Sequence, residues 1–259
     1  MRADLKNIKD LLDEKYFQFN NSAFIQTDPI SIPHQFSKKE DIEIAAFLVA
    51  TIAWGQRISI INNGNKLMAL MNNEPYDFIL NFSKKDVLRF ENFVHRTFNN
   101  VDCIFFLNSL KNIYKNHGGL ENAFSNAFSK KEENVKNAVV NFRNLFLETN
   151  HLPRSEKHIS NPDSKSSAKR LCMFLRWMVR KDKLGVDFGL WKSISTAQLC
   201  LPLDVHTGNV SRKLGLLQRT QNDWQAVEQI TNMLKTFDSK DPIKYDFSLF
   251  GLGAFEGFK

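Results

Sequence analysis

Turn-forming residues are scarce in this 259-residue chain: 11 glycines and 7 prolines make about 7% of it, where ~12% is usual. So few breaks cannot supply the many tight turns of a β-sandwich. Cysteine is scarce too. Cys103, Cys172 and Cys200 are scattered and form no CxxC pair, which excludes a zinc or iron–sulfur site ligated by four thiolates within the chain. Long apolar runs are missing: the longest, Ile44 to Trp54, is eleven residues and contains Thr51, against the ~20 that a membrane helix needs. The first residues carry charges throughout, without the apolar stretch of a signal peptide. No Walker loop, GxGxxG, HExxH or GxSxG occurs, so nucleotide hydrolysis, dinucleotide redox, zincin and α/β-hydrolase chemistry have no support. The expectation is a cytoplasmic protein with reduced thiols, no membrane partner, no metal and no cofactor.

What is present is helical. Hydrophobic residues make 42% and charged residues 24% of the chain, ordinary values for a folded protein. The 23 phenylalanines imply a core of packed rings. Lys+Arg 35 against Asp+Glu 28 leaves +7, a balance that favours polyanionic partners such as nucleic acid and that many basic enzymes share. Leu5, Ile8, Leu12, Tyr16 and Phe19 recur at helical spacing. Asp28-Pro29 and Ile32-Pro33 then make an extended linker. Ser37-Lys-Lys-Glu40 reads as a capping box opening the apolar run Ile42 to Trp54, a helix buried all round. Further helices are predicted at about 58–72, 101–116, 132–149, 167–180, 204–214 and from Asn222, with 150–167 as a polar loop. The fold class read from this pattern is all-α.

Two residues stand out for chemistry. Lys169 lies in the first turn of a predicted helix, where the positive end of the helix dipole disfavours an ammonium and so favours the neutral amine a nucleophile needs. Asp204 follows Leu-Pro-Leu, and a carboxylate there can move protons or stabilise positive charge on a sugar. Both have plainer readings: Asp204 suits a helix N-cap, and Lys169 a solvated surface lysine.

Three segments bear on that choice. Leu203-Asp-Val-His-Thr-Gly-Asn-Val-Ser-Arg-Lys-Leu-Gly-Leu216, Ser167-Ala-Lys-Arg-Leu-Cys-Met-Phe-Leu-Arg-Trp177 and Ala45-Ala-Phe-Leu-Val-Ala-Thr-Ile-Ala-Trp-Gly-Gln-Arg57 resemble, in order, segments of the helix-hairpin-helix DNA glycosylases, the endonuclease III and 8-oxoguanine glycosylase superfamily. The resemblance spans residues 41 to 216. It implies two helical subdomains flanking a DNA cleft, residues 38–185 forming the larger and 1–37 plus 190–259 the second. It implies Lys169 as the attacking amine, Asp204 as the catalytic carboxylate and Gln56 as the residue that fills the gap left by a flipped base. The partner implied is double-stranded DNA with a damaged base, bound by a monomer. The spacing of 35 from Lys169 to Asp204 is longer than in endonuclease III and is similar to that of the archaeal-type 8-oxoguanine glycosylases, and the four-cysteine cluster of endonuclease III is missing. The family's hairpin "L-P-G-V-G-x-K-T-A" is replaced by the glycine-free Ser164-Lys-Ser-Ser-Ala-Lys169. Lys165, Ser166 and Ser167 then become the candidates for phosphate binding.

Other candidates are Trp54 and Trp177 for stacking on a flipped base and His206 beside Asp204. Arg176 belongs with Arg180, Lys181 and Lys183 in a basic end to the Lys169 helix. Core packing for the tryptophans, a helix-terminal position for His206 and a solvated face for the arginines are the alternatives. The whole chain also resembles a bacterial family of unassigned activity related to the glycosylases, marked by Met173-Phe-Leu-Arg-Trp-Met-Val-Arg180 and Tyr245-Asp-Phe-Ser-Leu-Phe-Gly-Leu-Gly253. The expected reaction is excision of an oxidised base, with 8-oxoguanine as the candidate, through a lysine Schiff base. The alternative is a non-catalytic DNA-binding protein that keeps the fold.

Overall fold

The computed structural model describes residues 3–126, 128–129 and 131–258. Met1, Arg2 and Lys259, at the ends of the expected second subdomain, and Ala127 and Lys130, within the expected larger one, lie outside the described residues. In chain order the helices are α1 (Ala3–Phe19), α2 (Ser22–Thr27), α3 (Lys39–Thr51), α4 (Arg57–Leu70), α5 (Pro75–Asn81), α6 (Lys84–Val87) and α7 (Asn100–Asn116). They continue with α8 (Leu120–Ser125), α9 (Lys136–Phe146), α10 (Lys169–Val179), α11 (Val205–Lys213), α12 (Trp224–Phe237) and α13 (Tyr245–Ala254). Strand among the described residues is confined to an antiparallel pair, β1 (Val94–His95) with β2 (Phe98–Asn99). The architecture is therefore all-α, as the helical periodicity and low Gly and Pro imply. No described helix is long and apolar enough to cross a membrane.

By packing, the chain divides into two units. A terminal unit comprises Met1–Phe24, Lys130–Lys136 and Asn161–Lys259, and a central unit Ile25–Ser129 and Asn137–Ser160. This division falls differently from the 38–185 grouping that the resemblance implies. Residues 161–185 sit with the chain ends because the arginines of α10 bind acids downstream of it, as described below.

In the central unit α3 is buried at every position from Ile42 to Thr51, as the unbroken apolar run predicts. Its ring-rich surroundings account for much of the phenylalanine: Phe47 packs on Phe106, Phe142 and Phe146, and Phe124 stacks on Phe142 with ring centres 3.8 Å apart. Glu43 is buried in this helix and accepts a 2.7 Å hydrogen bond from the Tyr114 hydroxyl, so its polar head is not left without a partner. The start of α3 corrects one expectation. Lys38, not Ser37, occupies the N-cap, with no side-chain cap bond. The acid three positions on is thus Asp41, whose Oδ1 instead accepts from the backbone N–H of Tyr76 at 2.8 Å. Burial rather than a cap anchors this helix. The stretch that carries Pro29 and Pro33 also departs from an extended linker, forming short 3-10 turns at Pro29–Ser31 and Pro33–Gln35.

In the terminal unit the chain ends meet. Ser248 donates to the carbonyl of Leu12 at 2.6 Å and Tyr245 donates to Asp13 at 3.0 Å, so α1 lies along α13. A Cβ at Gly251 would stand 2.1 Å from the Phe19 ring, so that contact depends on the missing side chain.

A buried ion network completes this unit. Arg180 is fully buried and donates to Asp182 at 2.7 Å, Asp187 at 3.0 Å, Asp241 at 3.0 and 3.1 Å and the Tyr16 hydroxyl at 2.9 Å. Arg176 bridges Asp187 and Asp246. The basic end of α10 is thus internal, and only Lys181 and Lys183 of that expected group are exposed. Removing the central guanidinium leaves several acids partly or wholly buried with less compensation. Arg180→Met is expected to cost about 3–5 kcal/mol, read as a lowered midpoint in urea denaturation at neutral pH. A change under ~1 kcal/mol would mean that the network contributes little to folding.

Candidate functional site

Leu201-Pro202-Leu203 enters α11 in a non-helical conformation, and Asp204 is its N-cap with φ −118° and ψ −168°. The cap is reciprocal. Asp204 Oδ1 accepts from the Thr207 backbone N–H at 2.9 Å, and the Asp204 N–H donates to Thr207 Oγ1 at 2.8 Å. Asn222 adds a 3.0 Å bond to the Asp204 carbonyl. The two carboxylate oxygens therefore divide: Oδ1 caps the helix, while Oδ2 is turned toward Lys169, whose Nζ lies 3.7 Å away. Both side chains are partly open to solvent, 28% for Lys169 and 19% for Asp204. The structure brings these two residues together from 35 positions apart.

Lys169 is the first residue of α10. The chain reaches it through a 3-10 turn, Pro162–Ser164, capped by Asn161 Oδ1 and closed by Lys165 in the left-handed conformation at φ 66°. Ser166 Oγ accepts from the Ala168 N–H at 3.2 Å, and Ala168, the N-cap, is left-handed as well, at φ 46°. Two non-glycine residues held in this sparsely populated region within five positions amount to stored backbone strain, which tends to mark functional segments. Lys165 is exposed and Ser166 and Ser167 are half-buried.

A third carboxylate stands behind this pair, and the sequence reading passed over it. Asp246, on α13, is buried and bound by Arg176. Burial pushes its carboxyl up to about 6, with Arg176 pulling the other way and Asp204 adding to the rise. The signal for it was the quoted Tyr245–Gly253 segment, which marked the chain without suggesting a role.

The remaining candidates separate. His206 is exposed and sets its ring edge-on to Phe250, with centres 6.1 Å apart. Two candidates are corrected. Trp177 is fully buried and its Nε1 has no partner. Arg176 spends its charge on Asp187 and Asp246. Neither presents a face to a ligand, because both lie on the side of α10 that packs inward. Trp54 and Gln56 belong to the central unit. Trp54 is half-buried between the rings of His95, edge-on at 5.1 Å, and His158, stacked at 5.9 Å. Its carbonyl lies 3.1 Å from His95 Nε2, and burial holds His95 below its ordinary value. Gln56 is exposed at the N-cap of α4 with no cap bond of its own. The preceding Gly55 has φ 99°, and a Cβ there would meet the Arg96 guanidinium at 2.9 Å, so the turn before Gln56 requires glycine. Among the described residues no group of three or more His, Cys, Asp or Glu side chains is placed to hold a metal ion.

A model of the family described as "Protein of unknown function (DUF2400)" matches residues 28–255. That is most of the chain, and the chain belongs to this family. No curated protein and no solved structure matches it.

Proposed function

We propose that this DUF2400-family chain is a DNA glycosylase with lyase activity of the helix-hairpin-helix type, removing an oxidised base such as 8-oxoguanine from double-stranded DNA. The observation that carries the reading is the approach of Lys169 Nζ to Asp204 Oδ2, 3.7 Å apart and open to solvent. These are the two residues, far apart in sequence, that the motif resemblance pairs in one reaction. In that reaction the lone pair of the Lys169 amine attacks C1′ of a flipped nucleotide. The N–C1′ bond forms as the glycosidic bond breaks, and the base leaves with a proton. The nitrogen gives one proton by way of Asp204 Oδ2 to the departing base, and its second proton passes to O4′ as the sugar ring opens, which gives the Schiff base. Asp204 Oδ2 stabilises positive charge on the sugar and accepts the proton that the amine sheds.

Two further observations support the reading. Lys165, four positions before Lys169, stands where the family's hairpin has its first glycine, and it adopts the left-handed conformation that glycine would take most easily. Gln56 is exposed at a helix start, where the resemblance puts the residue that fills the vacated stack. The glycine-free segment favours the second reading, a DNA-binding protein without catalysis, because it gives the phosphate less room.

Excision assays on duplexes carrying a panel of oxidised bases, run beside DNA titrations at several salt concentrations, distinguish these. The glycosylase reading expects release of at least one oxidised purine, and an affinity that falls as salt rises, by a log–log slope of roughly 0.9 per phosphate contacted. Salt-dependent binding without excision would leave the second reading. Neither binding nor excision would remove both.

A further inference from the structure

The two segments that mark this chain most strongly, Met173–Arg180 and Tyr245–Gly253, meet inside the terminal unit. Arg176 stands two helical turns after Lys169 on α10 and donates through Nη1 to Asp246 Oδ2 on α13, while its Nε donates to Asp187 Oδ1 at 3.2 Å. The guanidinium also lies over the Phe247 ring, 4.4 Å from its centre. Arg176, Asp187 and Asp246 are all buried, where charge-assisted bonds are short and directional. The same helix α13 touches α11 as well. A Cβ at Gly253 would stand 3.1 Å from both His206 Cβ and Val210 Cγ2, so α11 packs hard against it. Lys169 opens α10 and Asp204 caps α11. Arg176 thus ties α10 to α13, and α11 packs on the same helix, so α13 links the two helices that carry the pair.

We infer that Asp246 is a positioning residue for the Lys169–Asp204 pair, acting through Arg176 to hold α10 in register with the start of α11. This rests on the reading that the pair is the reacting one. Asp246 faces Lys169, Cys172 and Arg176 from α10 and Asp204 from the head of α11. The third element on α13 is α1, which directs Asp13 to Tyr245 and Lys244, and Tyr16 to Phe247 and Arg180. Because burial raises the Asp246 carboxyl to about 6, it gains a proton just below neutral pH. A neutral carboxyl holds a guanidinium less firmly.

The test has two arms in wild type, D246N and R176K. The first is a crystal structure of each. The Lys169 Nζ to Asp204 Oδ2 separation is expected to open beyond ~5 Å in the variants. The second is the single-turnover rate of borohydride trapping on a lesion duplex from pH 5 to 8, with DNA affinity measured alongside. In wild type the rate should show an added downward break near pH 6. In D246N that break should vanish, with the rate at pH 7 lowered roughly 10–100-fold and affinity unchanged. R176K, which keeps the charge but cannot bridge two carboxylates, should lose rate to a similar degree and covers the case in which D246N does not fold. An unchanged separation in a folded variant, or a D246N protein with wild-type rate and an intact break, would overturn the inference. Wild-type protein that never traps would sink the glycosylase reading instead, and the crystal structures would still decide the part played by Asp246.

Discussion

Replacing Lys169 with glutamine is expected to bring covalent trapping on lesion-bearing DNA down to background while leaving DNA affinity nearly intact. Only an amine can form the reducible imine, and glutamine has none. The affinity survives because phosphate binding is summed over many contacts, each contributing about one unit to the salt slope. Folding survives as well. The ion pair with Asp204 is 3.7 Å long and partly open, and such pairs contribute about 0–1 kcal/mol. The paired measurement is the trapped fraction after borohydride and the dissociation constant on the same oligonucleotide. Trapping that persists in Lys169→Gln would move the nucleophile elsewhere. Lys165 is then next, exposed and four residues upstream.

Asp204→Asn separates the cap, which Oδ1 makes, from the catalytic role proposed for Oδ2. Oδ1 holds the cap on Thr207, and an asparagine carbonyl can hold it equally well. The thermal midpoint should therefore move by no more than about 2 °C. Oδ2, the atom facing Lys169, becomes an uncharged amide that neither accepts the proton nor offsets charge on the sugar. Single-turnover excision should fall by about 10²–10⁴. Excision near the wild-type rate would reduce Asp204 to a cap. A large drop in midpoint would mean that the cap depends on the charge.

Much of this was legible in the sequence, for reasons that differ by element. The unbroken apolar run of α3 and the stripes of α1, α7 and α12 follow from residue spacing alone. Asp204 as an N-cap was readable because the signal is local. The short helices α5, α6 and α8 were missed, having too few turns to show a period. The C-terminal helix α13 is not among the helices that spacing predicts, because it is buried on nearly all sides and shows little polar alternation. Arg176 and Arg180 were misread for another reason. Their acids lie at positions 182, 187, 241 and 246, most of them on other segments. A basic helix end looks the same in sequence whether solvent or a distant carboxylate receives it. Asp246 was invisible for that reason too.

The catalytic reading is tested most directly by locating the covalent bond. Wild-type protein is reduced with borohydride on an 8-oxoguanine duplex, with other oxidised bases run in parallel, and the adduct is digested and mapped by mass spectrometry. The expected result is a nucleotide-bearing peptide modified at Lys169. An adduct on another lysine with Lys169 untouched, or no adduct on any lesion in a protein that binds the same duplexes, would contradict it.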